Sequence, residues 1–289
     1  MKTVKLGTIL ENAARLAGRQ QLAVMGVPEN WRALAALALG EGLRRIAAEK
    51  FPFMQRVEYR RYRPDWLSNV GWTRGQECWF GDGYWRLEAE RGSAAPSEAG
   101  SGWRRLDMAE VVAFVAFDQP WEPAEMDGAS VDAARFAYEA DPKYNPLATP
   151  LKVAALTDLG VVLQAPAPTG VYVRFVPKFP NPSFVEWSSD QAYEPGDVAY
   201  LTATKECYRC VEAVAAGGKA PAEDAASWEA LRVPAAFENY LTRLAAVDVL
   251  TEDQGKYQTR AAAEKEFDEL CARYHEGSGE TRVRTGRFR

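Results

Sequence analysis

Trp187, then Tyr193-Glu-Pro-Gly-Asp-Val-Ala-Tyr200, then Tyr208, Glu212-Ala213, Pro221 and Trp228-Glu-Ala-Leu231 form the stretch whose reading decides the fold, because an earlier stretch repeats it. There Trp66, Trp72, Gly75, Trp79, Tyr84, Glu88-Ala89, Pro96, Trp103 and Leu106 stand in the same order. The copies lie 121 residues apart from Trp66/Trp187 to Trp79/Tyr200, 124 at Tyr84/Tyr208, and 125 from Pro96/Pro221 to Leu106/Leu231. Two small insertions account for the drift. Large aromatics, a glycine and a proline held in order at matching spacing mark an internal duplication, and such repeats bear on architecture before any finer pattern.

Within the first copy, Gln76 to Phe80 and Tyr84 to Glu88 read as strands joined through Gly81-Asp82-Gly83, where Asp-Gly is a strong hairpin signal. The region between the copies has a different texture. Val111 to Phe117, Leu151 to Ala155, Gly160 to Leu163 and Gly170 to Val176 are short strand-like runs separated by Pro- and Asp-rich turns, the pattern of a small β-sandwich or barrel. Pro177, Pro180 and Pro182 then act as a hinge into the second copy.

Both ends of the chain carry the helical period instead. Thr8 to Arg19 places Ile9, Leu10, Ala13, Leu16 and Ala17 on one face, and a stronger helix runs from Pro28 to about Glu49. Its segment Ala33 to Leu39 is apolar all round, so it should be covered by other helices or by neighbouring subunits. From Met54 to Arg63 the period becomes two, an exposed strand leading outward. After the second copy, Pro234 opens a helix through Leu250, Gly255 can end it, and a last helix spans about Lys256 to Tyr274. Gly277 to Arg289 holds Arg282, Arg284, Arg287, Phe288 and Arg289 with little else apolar and reads as a basic arm.

The expected class is therefore α+β: a helical base formed by both chain ends, with β-rich modules inserted into it. The expected segments are 1–63 for the first helices and exit strand, 64–108 for module 1, 109–185 for the central β domain, 186–232 for module 2, 233–276 for the closing helices and 277–289 for the arm.

Bulk properties narrow the function classes. With 289 residues, 47% hydrophobic and 26% charged, and a net charge of -5, the chain has the composition of a globular protein and not of a general nucleic-acid binder. Its longest apolar run is far short of the ~20 residues of a membrane span, and no leader pattern opens it, so the expectation is a protein made in the cytoplasm without membrane association. Four cysteines are too few for a disulfide scaffold.

Catalytic signals are weak. The single histidine, His275, sits where the last helix meets the arm, which disfavours a His-based triad or multi-His metal site. Asp248, Glu252, Asp253, Glu264, Glu266 and Glu269 read as exposed helix faces. Cys207-Tyr-Arg-Cys210 has redox or zinc spacing but falls in a strand, where residues three apart face opposite ways. Gly217-Gly218-Lys219 lacks the earlier glycine of a phosphate loop. No enzyme, cofactor or metal is expected. The repeat's aromatics allow two uses, stacking on sugar rings or serving as the module's own core, and the second is favoured because large aromatics are mostly buried.

The pattern Trp187, Tyr193-x-x-Gly196-Asp197-Val198-x-Tyr200, Tyr208, Pro221, Trp228-x-x-Leu231 resembles the small chitin-binding module attached to chitinases, with Trp66 to Leu106 a weaker match lacking the Gly-Asp. That resemblance implies glycan contacts at Trp187, Tyr193 and Trp228, and at Trp66, Trp72 and Trp103 in the other copy. The whole layout, with its Tyr240-Leu-x-x-Leu-Ala-Ala-Val-Asp-x-Leu250 helix, resembles the neck proteins of tailed bacteriophages, the adaptor or head-to-tail connector subunits. This second resemblance implies a structural virion protein made in the host cytoplasm. It would form a homo-oligomeric ring, commonly of twelve, whose arm docks on the portal protein. Tail or head-closure proteins would be further partners, and genomic DNA would pass through the channel without sequence-specific binding. A glycan-binding protein with paired carbohydrate-binding-like modules is the alternative.

Overall fold

A computed structural model describes residues 2–19, 29–97, 100–117, 126, 131–145, 147–164, 169–247, 250 and 253–275. In chain order the elements are β1 (Thr3–Lys5), α1 (Leu6–Leu16), α2 (Glu29–Ala48), β2 (Arg56–Arg60), β3 (Trp72–Thr73), β4 (Glu77–Phe80), β5 (Gly83–Leu87), β6 (Arg91–Gly92), β7 (Trp103–Arg105) and β8 (Phe114–Ala116). They continue with β9 (Ala137–Tyr138), β10 (Val153–Leu156), β11 (Gly160–Leu163), β12 (Val171–Phe175), β13 (Val198–Leu201), β14 (Glu206–Cys210), β15 (Trp228–Pro234), α3 (Glu238–Val247) and α4 (Asp253–His275). The class is mixed α+β with several small sheets. Two compact units share the chain: Met1–Glu49 with Phe179–Arg289, and Lys50–Lys178 between them.

The first unit is held together from both chain ends. β15 is long enough to pair twice: Trp228 to Leu231 with β14, then Arg232 to Pro234 antiparallel with β1, in the order β1-β15-β14-β13. The chain leaves β1 directly into α1, whose Leu6, Ile9, Leu10, Ala13 and Ala14 are buried at helical spacing. Gly18 at φ 72 ends the helix, and Arg19 N–H returns to the Ala14 carbonyl at 2.9 Å. Short α3 packs against α1, α2 and α4 and buries Tyr240, Leu241, Ala245 and Ala246. Arg45 of α2 stacks 4.4 Å from the Phe267 ring of α4 and pairs with Glu264 at 2.6 Å, while Tyr240 of α3 meets the same ring at 4.7 Å. One aromatic ring and one ion pair therefore tie three helices.

The second unit sets two three-stranded antiparallel sheets, β2-β12-β9 and β10-β11-β8, over one core that includes Val115, Phe136, Val161, Val171, Val173 and Phe175. Module 1 joins this unit through Trp79, Tyr84 and Leu106, which enter that core. The exit strand is thus part of the second unit, where Arg56 to Arg60 pair with β12, and not part of the helical base as its position had suggested. Module 2 lies in the same compact unit as the helices of both chain ends.

The duplication holds in three dimensions, with one correction. β4-β5-β7 and β13-β14-β15 are antiparallel meanders of the same order. Cys78↔Trp85 and Trp79↔Tyr84 in the first copy match Ala199↔Tyr208 and Tyr200↔Cys207 in the second. Tyr208 therefore corresponds to Trp85, and Tyr84 to Cys207. Matching Tyr84 with Tyr208 is off by one residue, which in a strand exchanges the two faces. Lengthening is confined to the connections: Phe80↔Gly83 leaves Gly81 and Asp82 as a two-residue turn, where Leu201↔Glu206 leaves four residues. The first turn is Gly-Asp, with Gly81 at φ 62, and Gly83 opens the next strand.

Helix boundaries differ at the C-terminal end. Gly255 lies inside the first turn of α4 and does not end α3, which stops at Val247. Near the N-terminus, α1 begins on the β13–β14 turn. A Cβ on Gly7 would sit 2.5 Å from the Lys205 carbonyl oxygen and 2.9 Å from the Tyr200 hydroxyl. Alanine there gains about 1 kcal/mol of helix propensity, but a backbone clash of this kind costs about 1–3 kcal/mol. We therefore expect Gly7→Ala to lower the urea midpoint at unchanged m-value, and an equal or higher midpoint would show that the turn yields freely.

Candidate functional site

The six aromatic residues that suggested a glycan surface occupy equivalent places in the two copies. Trp72, Cys78, Trp85, Leu87 and Trp103 form the core of module 1, with Trp66 and Phe80 packed against it. Tyr193, Ala199, Tyr208, Cys210 and Trp228 form that of module 2, with Trp187 and Leu201 at the same flank. Trp72 meets Trp103 edge to face at 5.6 Å, and Tyr193 meets Trp228 likewise at 5.0 Å. Such pairs contribute ~0.5–1.5 kcal/mol beyond the area they bury. A three-stranded sheet of this size has little other apolar volume, so its rings are spent inward.

Polar tips follow the same logic. The indole N–H groups of Trp72, Trp85 and Trp103 donate to the backbone carbonyls of Leu67, Phe80 and Ala94 at 3.1, 3.2 and 3.0 Å. The Tyr193 hydroxyl accepts from Ser188 N–H at 2.9 Å. Trp72, Trp103, Tyr193 and Trp228 are only 5%, 6%, 5% and 3% exposed. They offer no open ring face to a sugar, as the reading of these rings as module core expects and against what the chitin-binding resemblance implies for them; Trp66 and Trp187 are half-buried.

The other face of each module sheet is also used. Trp79 packs edge to face on Tyr84 at 4.8 Å, and the Tyr84 hydroxyl donates to Thr169 O at 2.9 Å. At the matching position, Tyr200 meets Phe184 at 5.4 Å and Arg32 at 5.7 Å. Burial pushes the Tyr84 and Tyr200 phenols up to about 12.

Electrostatics in the modules are structural in form. Glu206 is 5% exposed and accepts from Arg232 Nε at 2.7 Å, with the Tyr208 hydroxyl at 3.2 Å and Lys5 Nζ at 3.5 Å. Glu77 lies between Arg63 and Arg86, each at 2.5 Å. Burial alone would raise the Glu77 carboxyl, but hydrogen bonds from Arg86 and Arg63 outweigh it and hold the group below its ordinary range.

All four cysteines are free and buried. Cys207 and Cys210 face opposite sides of β14: the Cys207 thiol donates to Ser183 O at 3.1 Å, and the Cys210 thiol to Glu212 O at 2.9 Å. Burial pushes Cys207 and Cys78 up to about 12 and raises Cys210, the reverse of what a reactive thiolate needs. Among the described residues no group of three or more His, Cys, Asp or Glu could hold a metal ion.

Of the helix carboxylates, Glu264 pairs with Arg45, Glu266 with Arg243 and Glu269 with Lys265. Arg282, Arg284, Arg287, Phe288 and Arg289, expected to dock on a partner, lie outside the described residues, as does the His275 side chain.

Two concavities were not legible in the sequence. One, of about 190 Å³, runs beside β13 and is lined by Ser183, Val185, Glu186, Gln191, Tyr193 and Asp197. The other, of about 300 Å³, lies among α2, α3 and α4. Its one sequence signal was the all-round apolar run Ala33 to Leu39. Ala35 and Leu39 from that run are fully buried, while Leu34 and Leu37 are 41% and 72% exposed. No helix among the described residues is long and apolar enough to cross a membrane.

No protein family, no curated protein and no solved structure matches the chain.

Two measurements test this reading. Trp228→Ala should lower stability by about 3–5 kcal/mol in chemical denaturation, as loss of a large buried ring does. A variant that keeps its stability and instead loses binding to an insoluble polysaccharide would return Trp228 to a ligand surface. For Glu77 the folded group is depressed relative to the unfolded one, so its contribution is present above the ordinary value of 4.5 and is lost as pH falls below it. Glu77→Gln should therefore be less stable than the parent near pH 7, with a shallower loss of stability as pH falls below 4.5.

Proposed function

We propose that the chain is a structural virion protein, an adaptor or connector subunit of a phage neck ring joining the portal to the tail. The observation that carries this reading is that both chain ends fold into one unit, while residues 50–178 form a second unit inserted in sequence between them. That division supports reading the chain as a helical base bearing β-rich modules. The subunits would assemble as a homo-oligomeric ring, contact the portal and the tail or head-closure proteins, and let the genomic DNA pass through the channel without sequence-specific binding. The basic residues Arg282, Arg284, Arg287 and Arg289 supply the arm of this scheme.

The glycan-binding alternative draws less support. Four of its six proposed contact residues are almost wholly buried. Its remaining case is the half-buried pair Trp66 and Trp187, although their indole N–H groups are themselves buried.

Electron microscopy of the purified full chain should show closed rings. A chain that stays strictly monomeric at high concentration and co-sediments with chitin would replace this reading with the alternative.

A further inference from the structure

The duplicated meander makes the same guanidinium contact twice, with unrelated arginines. In module 1 a carboxylate, Asp65, stands just before the first tryptophan and bridges to Trp79 of β4. Arg61 pairs with Asp65 and lies over the Trp79 ring at 4.8 Å. In module 2 the matching carboxylate is Glu186, which bridges to Tyr200 of β13; Arg32 pairs with it at 3.8 Å and lies 5.7 Å from the Tyr200 ring. Arg61 is a sequence neighbour of its carboxylate, whereas Arg32 arrives from α2. A carboxylate beside an aromatic ring suits a guanidinium, whose N–H groups donate to the acid while its plane lies on the ring. Because two different arginines satisfy it, the contact belongs to the meander and not to either arginine.

The two copies differ in how fully the acid is used. At 3.8 Å the Arg32–Glu186 pair is longer than the ~2.7–2.9 Å of a direct charge-assisted hydrogen bond. The Glu186 side chain is 45% exposed and lines the concavity of about 190 Å³ together with Asp197, Gln191 and Ser183. Asp197 accepts the Glu194 N–H at 2.8 Å and has no cationic partner among the described residues. From Ser183 to Asp197 the chain holds Glu186, Asp190, Glu194 and Asp197 with no lysine or arginine.

We infer that this concavity is a binding site for arginine side chains, and that its occupant is the C-terminal segment 277–289 of this same chain. Charge complementarity selects the occupant: the segment carries Arg282, Arg284, Arg287 and Arg289 against a single carboxylate, Glu280, and it follows the last described helix residue, His275. Arg282 and Arg284 flank Val283, and Arg287 and Arg289 flank Phe288. In an extended chain the two arginines of each pair fall on one side, so one segment can offer two guanidinium groups to Glu186 and Asp197. The incoming arginine competes with Arg32 for Glu186. The inference goes beyond the proposed function, because it gives these arginines a place on the chain itself whether or not the subunits form a ring.

The test is calorimetric titration of a synthetic peptide of residues 277–289 into the full chain carrying Arg282→Gln, Arg284→Gln, Arg287→Gln and Arg289→Gln, so that its own segment does not compete. Thermal melting checks the folding of each variant. The peptide should bind, more weakly as salt is added. Adding Glu186→Gln should weaken binding about fivefold, the loss of one charge-assisted contact. Arg32→Gln should strengthen binding, because it removes the competitor for Glu186. A peptide with lysine at the four arginine positions should bind more weakly, since an ammonium cannot pair with a carboxylate through two parallel N–H groups. No binding, or binding indifferent to Glu186→Gln, would overturn the inference. So would an Arg32→Gln variant that gains no affinity, or a lysine peptide that binds equally well, which would reduce the effect to general charge attraction. Rings seen by microscopy without peptide binding would remove this inference and spare the ring reading, and peptide binding without rings would do the reverse.

Discussion

Three residues at the start of the chain hold the helical unit to its sheet. Thr3, Val4 and Lys5 pair with Pro234, Val233 and Arg232, and Ala235 N–H reaches back to the Lys2 carbonyl at 3.0 Å. The pairing joins segments separated by most of the chain, at an entropic cost that grows only with the logarithm of the loop. Side chains reinforce it: Glu206 on β14 draws in Arg232 from β15 and Lys5 from β1, so a buried carboxylate marks the seam where the fourth strand is added. Everything that follows in this unit takes its position from the seam. α1 leaves β1 without a linker, β15 leads through Pro234 into α3, and these two helices pack on each other. Residues 50–178, between the two paired ends in sequence, form a separate compact unit.

The duplicated meander shows one scaffold serving two settings. In both copies one sheet face closes over the module's own aromatics, and the other face belongs to the larger unit around it. Trp79 and Tyr84 enter the core of two β-sheets, whereas Tyr200 meets Phe184 and lies beside the start of α1. Length changes fall only in the connections, because an added residue within a strand would exchange these two faces. The free edge of each meander is guarded the same way. Trp79 N–H donates to Pro64 O at 2.7 Å and Tyr200 N–H to Val185 O at 2.8 Å, so the chain entering each module covers its first strand.

This economy bears on function. A module that needs Trp72, Trp103, Tyr193 and Trp228 to fold cannot also present them to a ligand, so aromatic content that looks like a binding signature is a folding requirement here. The helical unit shows the opposite case. On α2, Leu37 is 72% exposed although Ala35 and Leu39 beside it are fully buried.

Much of the secondary structure was written in local periodicity. α2, β11 and the first-module hairpin lie close to where spacing alone puts them, and the repeat was legible because bulky aromatics tolerate few replacements in so small a core. The arm residues lie beyond what the structure describes. β1 was invisible, since three residues carry no period, and so was the place of Gly255 inside a helix, since packing of Ala263, Phe267 and Leu270 outweighs one poor helix former. Which copy joins which unit, which way each tryptophan faces, and whether Ala33 to Leu39 is covered were decided only by tertiary structure. Those properties depend on contacts between residues far apart in the chain, whereas the sequence by itself determines what neighbouring residues can do: turn, extend, or wind into a helix.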